Sequence, residues 1–123
     1  MKLIINNSSM IPIYEQVVEQ IKILIKKGEL QENDVLPSVR GLAGELKISA
    51  LTVKKAYDFL EEEGFTVTVH GKGTYVAAVN KDRLWEEQKR EIESEFEQSI
   101  AKGKRYGLSK EELKELFEII LEE

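Results

Sequence analysis

The chain has 123 residues, 41% hydrophobic and 33% charged, with a formal net charge of −5. That length admits one ordinary domain or a small domain with an appendage, and the composition is that of a soluble globular protein with a heavily charged surface. No apolar run reaches the ~20 residues of a membrane helix, Met1-Lys2-Leu3-Ile4-Ile5 is too short for a signal peptide, and the absence of cysteine excludes disulfides and thiolate metal sites, so the expected location is the cytoplasm, away from membranes.

Residues 3–5 are predicted to form a short strand, followed by a loop at Asn6-Asn7-Ser8-Ser9. Pro12 suits the first position of a helix running to about Lys27, where its missing amide donor costs nothing. Ile13, Val17, Ile21, Leu24 and Ile25 make the core stripe of that helix, and Gly28 ends it. Tyr14 and the cluster Lys22, Lys26 and Lys27 are read as its solvated face.

Two short helices are predicted next, over residues 39–46 and 50–63. Ser38 and Ser49 supply the N-caps, since a hydroxyl there accepts from an amide that the first turn leaves unpaired. Leu42, Ala43 and Leu46 share one face of the first helix, and Val53, Ala56, Tyr57 and Leu60 line one face of the second. Small Ala43 and Ala56 and the brief turn Lys47-Ile48-Ser49 suit a close crossing, which is a helix-turn-helix. Ala50, Leu51, Lys54, Lys55 and Asp58 then point outward. In such a motif this face enters the major groove, where Lys54 and Lys55 reach phosphates or guanine acceptors and Ala50 and Leu51 make apolar contact only. Glu61-Glu62-Glu63 would repel phosphate and should face away from it.

Gly64 ends the second helix, and a hairpin follows: strands over 65–70 and 74–79 around the turn Gly71-Lys72-Gly73. His70 and Lys72 sit at its tip, where a cation is drawn to the negative potential of a minor groove. The spacing of GKGT does not match a Walker loop.

Beyond residue 79 the chain turns into charged helix. Residues 82–106 carry Trp85, Ile92, Phe96 and Ile100 as a stripe, with Gly103 a possible break. Gly107 reads as a cap, Ser109 and Glu112 as a capping box, and Leu108 with Leu113 as a hydrophobic staple. The last helix runs to about Leu121, with Leu113, Leu116, Phe117, Ile120 and Leu121 along one side. Two such helices cannot bury both stripes by themselves, so a second copy of the chain is the expected partner, in an isologous four-helix dimer. A pocket near Trp85 and Phe96 would suit a ligand, although those aromatics are more simply read as core.

LPSVRGLA at 36–43, TVKKAYDFLEEEG at 52–64 and GKGTYV at 71–76, with PIYEQVVEQIKILIKKGEL at 12–30 upstream, resemble the GntR family of bacterial transcription regulators. The resemblance covers about two-thirds of the chain. It implies that Arg40 contacts the operator, with Ser38 and Ser49 beside the DNA. It further implies that Thr52 and Lys54 touch phosphate or bases, and that His70, Gly71, Lys72 and Gly73 belong to a wing in the minor groove. Many relatives carry arginine just after the serine that is Ser49 here, whereas this chain has Ala50 and Leu51, so less reliance on guanine is expected. The short tail is similar to that of the YtrA-type branch, with its two-helix dimerisation hairpin, whose members typically repress operons that include transporter genes.

The expected fold is thus α+β but mainly α, with a winged helix-turn-helix over 1–79 and a helical dimerisation tail over 80–123. The expected function is a homodimeric, cytoplasmic repressor that binds duplex DNA at a pseudo-palindromic operator, without cofactor, metal or catalytic residues. The acidic net charge is no obstacle to this, because residues 1–76 hold 9 basic against 10 acidic side chains and 77–123 hold 9 against 13. What matters for phosphate is the local set Arg40, Lys47, Lys54, Lys55 and Lys72. The rival reading is a winged helix used as a protein-interaction module, with the acidic tail as partner surface; separately, the alternative for Arg40 is a salt bridge within the chain to Glu45 or a similar neighbour. One histidine and no cysteine leave an enzyme little chemistry.

Overall fold

In the computed structural model, which describes all of residues 1–123, five helices and one two-stranded sheet follow in the expected order. They are α1 (Ile13–Lys27), α2 (Val39–Leu46), α3 (Ala50–Glu62), β1 (Thr66–Val69), β2 (Gly73–Val76), α4 (Lys81–Arg105) and α5 (Lys110–Leu121). The chain divides into two compact units, Met1–Lys81 and Asp82–Glu123.

In the first unit α3 packs on α1, α2 and β1. The apolar spacings explain this, since Val17 and Ile21 of α1, Leu42 of α2 and Val53 and Leu60 of α3 are all fully buried. Removing each such side chain from water stabilises the unit by ~1.5–3 kcal/mol. No strand forms at residues 3–5. Glutamine side chains of α1 take the hydrogen bonds that a neighbouring strand would have made. The Ile4 amide donates to Gln20 Oε1 at 2.9 Å, and Gln20 Nε2 donates to the Ile4 carbonyl at 2.7 Å. Buried Gln16 likewise accepts from the Asn6 amide and donates to the Asn6 and Ile11 carbonyls. Pro12 lies one position earlier than expected, as the N-cap in extended conformation, with ψ 143.

The hairpin also differs from its sequence reading. β1 pairs antiparallel with β2 from Thr66↔Val76 to Val69↔Gly73, which leaves the turn at His70-Gly71-Lys72 rather than at Gly71–73. The Lys72 amide closes that turn on the Val69 carbonyl at 2.9 Å, and Gly71 supplies the positive φ of 78 that it needs. Residues 77–79 do not extend β2. Instead the wing gains a partner from before α2: Val35 bridges Tyr75, and the Asn33 and Leu36 amides donate to the Val76 and Thr74 carbonyls, each at 2.8 Å.

In the second unit α4 runs unbroken through Gly103. A close contact explains the glycine. A Cβ there would stand 2.6 Å from Leu113 Cδ2 and 3.5 Å from Leu108 Cδ1, the two staple residues that fold α5 back. Gly107 takes the left-handed conformation, and the capping box is complete, with Glu112 N to Ser109 Oγ at 3.1 Å and Ser109 N to Glu112 Oε1 at 3.0 Å. Phe96 and Phe117 meet edge to face, their ring centroids 5.7 Å apart. Little else is covered: α5 has no buried side chain, and Trp85 and Phe96 are half exposed rather than core.

Candidate nucleic-acid interface

α2 begins where Ser38 Oγ accepts from the Gly41 amide at 3.0 Å, and that cap places Arg40 in the first turn with its side chain in solvent. Arg40 has no salt bridge, so the alternative pairing with Glu45 does not form. The relation of α2 to α3 is pinned by Tyr57, whose hydroxyl donates to the Pro37 carbonyl at 2.8 Å from an otherwise apolar setting. Burial raises the Tyr57 pKa well above that of a free phenol, so the donor is present throughout the physiological range.

α3 starts at a second serine cap. Ser49 Oγ accepts from the Thr52 amide at 3.1 Å and lies 2.8 Å from Thr52 Oγ1. The tight turn before it is closed by Lys47, in left-handed conformation at φ 57. Ala50, Leu51, Lys54, Lys55 and Asp58 are all exposed, as the helical spacing predicts. The two lysines are not idle, however. Lys54 Nζ is 2.8 Å from Asp58 Oδ2, and Lys55 Nζ stands over the Tyr14 ring, 4.0 Å from its centroid. An open groove of about 400 Å³ runs here between α1 and α3, bordered by Tyr14, Leu51, Lys55 and Phe59.

At the wing, His70, Gly71, Lys72 and Gly73 are exposed at the tip. Of the interface residues inferred from sequence, only Thr52 is partly covered, so the core claims none of them. Arg40, Lys47 and Lys72 have no acidic partner, whereas Lys22 of α1 pairs with Glu63 at 2.7 Å and lies about 5 Å from the Phe59 and Phe65 rings. Lys22 is therefore a clamp between α1 and the end of α3, not part of a solvated face. Glu61 is likewise occupied, accepting from the Thr68 amide at 3.1 Å.

Three features escaped the sequence reading. The Tyr14 contact with Lys55 joins residues 41 positions apart, which no local pattern encodes. The Tyr57 hydroxyl was foreseeable, because a buried tyrosine usually finds an acceptor. Asp58 sits at i+4 from Lys54, the ordinary spacing of a helical ion pair, and signals that Lys54 is partnered.

Comparison with known proteins agrees with this geometry. The family model described as bacterial regulatory proteins, gntR family, matches residues 13–76. The chain is 40% identical over 111 residues to the HTH-type transcriptional repressor YtrA of Bacillus subtilis (strain 168), covering 90% of this chain and 85% of that protein. A solved structure described as a transcriptional antiterminator from Listeria monocytogenes EGD-e superposes with a TM-score of 0.71 at 32% identity, covering 98% of this chain and 90% of that one. The DNA-binding domain of AraR in complex with operator ORX1 superposes with a TM-score of 0.56 at 29% identity, covering 63% of this chain and 96% of that one.

Proposed function

Because this chain belongs to the GntR family and is a DNA-binding transcription regulator rather than an enzyme, we propose that it acts as a homodimeric repressor on a pseudo-palindromic operator. The winged unit, residues 1–79, binds DNA: α3 enters the major groove, Arg40 and Ser38 of α2 lie alongside, and the His70–Lys72 tip follows the minor groove. The tail, residues 80–123, joins two copies. The observation that carries the dimer is the uncovered apolar side of the tail, with Ile92, Phe96, Ile100, Leu116, Phe117 and Ile120 all about half exposed. Large apolar side chains left exposed in this number mark an interaction site, and a twofold contact between hairpins would cover them without leaving a free edge.

In this reading repression takes place in the cytoplasm, and the family resemblance of the tail leads us to include operons with membrane transporter genes among the proposed targets. No helix is long and apolar enough to cross a membrane. The reading is tested by selecting duplexes from a random library on the full-length protein and footprinting the best of them. Two protected half-sites related by twofold symmetry, about one helical turn or more apart, are expected. A single asymmetric footprint at every protein concentration would overturn the dimeric reading.

A further inference from the structure

The first turns of α3 have little hydrogen-bonding capacity left to offer a base pair. Ser49 and Thr52 are engaged in the cap and with each other, which leaves one hydroxyl hydrogen between them. Lys55 is held over the Tyr14 ring. Lys54 is drawn to Asp58, and although such an exposed pair is weak, any guanine acceptor that Lys54 approached would also meet the Asp58 carboxylate one turn behind it. What the face presents freely is Ala50 and Leu51, and Leu51 is 79% exposed.

In the major groove the base pairs offer donors, acceptors and one apolar group, the C5-methyl of thymine. We propose that Leu51 is a specificity-determining residue, which selects operator half-sites by packing against thymine methyl groups. Base readout by α3 is then methyl-dependent, and the cations Arg40, Lys54 and Lys72 contribute affinity from the backbone without choosing the sequence. The proposal rests on α3 occupying the major groove and names what it reads there.

Deoxyuridine isolates that methyl, since it pairs as thymidine does and lacks only the C5 substituent. Duplexes selected from a random library should contain thymine opposite the α3 N-terminus. Replacing those thymines by deoxyuridine should weaken wild-type binding about threefold to fivefold per methyl, the scale of one buried methyl-sized group. Leu51→Ala should bind the thymine duplex more weakly and no longer distinguish it from the deoxyuridine duplex. Lys54→Ala should weaken binding to both by the same factor. Equal wild-type affinity for the two duplexes would overturn the proposal while leaving DNA binding intact, and so would a uracil penalty that persists undiminished in Leu51→Ala. Failure to bind any duplex at low salt would instead remove the major-groove premise itself.

Discussion

Arg40 and Lys54 are both exposed cations beside the helix-turn-helix, yet their surroundings give them different weight. Arg40 has no salt bridge to compete with DNA, and its planar fork suits bidentate contact with phosphate, whereas Lys54 must first leave Asp58. Arg40→Ala should therefore cost operator affinity on the order of tenfold or more with the oligomeric state unchanged, as measured by mobility shift and light scattering. Unchanged affinity would place Arg40 outside the interface. Tyr57 makes a complementary case, because its contribution is to geometry. Tyr57→Phe leaves the half-buried Pro37 carbonyl without its donor, which should lower stability by about 1 kcal/mol in denaturant melts while the surface residues remain in place. Both residues were visible in the sequence, Arg40 through its motif and Tyr57 as part of a core stripe. Their partners were not, because a free or occupied side chain is a property of the neighbours that folding brings in.

At the scale of elements, α2, α3 and α5 each start at a serine cap, and the two caps of the helix-turn-helix differ in consequence. Ser49→Ala removes the acceptor of the Thr52 amide and also releases the Thr52 hydroxyl, at the helix end that the proposed docking puts closest to the bases. A stability loss of about 1 kcal/mol is expected, along with altered DNA affinity, while Ser38→Ala should show the stability loss with less effect on sequence preference. At α5 the Ser109 amide, followed by its hydroxyl, holds the Glu112 carboxyl below the usual carboxylate range. Because the folded value is the lower one, this stabilisation is present above the ordinary glutamate pKa and fades as pH falls through the lowered value. Glu112→Gln should remove that acid-side dependence of helicity, read by circular dichroism. Gly103 belongs to the same hairpin. Its place in the middle of a helix runs against propensity but fits the approach of Leu113, so Gly103→Val should lower the melting temperature through overpacking and poorer helix propensity together.

For the whole molecule, the decisive question is what covers the tail. Leu116 and Phe117 are 48% and 47% exposed, large apolar side chains whose burial against a second copy would stabilise a dimer by a few kcal/mol. Replacing both with Glu should give monomers in light scattering, with operator affinity falling by orders of magnitude because a single winged unit holds only one half-site. A mass unchanged from wild type would locate the interface elsewhere. Nearly all the net acidity lies in this tail, so the winged unit meets DNA with almost no overall repulsion, and affinity should drop steeply with salt according to the few phosphates it neutralises.

The elements themselves were legible from the chain: α2 over Val39–Leu46 with its serine cap, α3 from Ala50, the capping box at Ser109, and the wing motif. Each is set by residues within a few positions of one another, through helical period, cap chemistry and turn glycines. Long-range contacts decided the rest. Gln16 and Gln20 replaced the expected strand at residues 3–5, Val35 joined the wing from before α2, and Tyr14 and Asp58 occupied the lysines that the motif alone assigned to DNA. The motif thus supplied the helix proposed for the major groove, and the tertiary structure showed that the side chains it presents there without a partner are Ala50 and Leu51, because whether a polar side chain is available depends on partners that only the folded chain assembles.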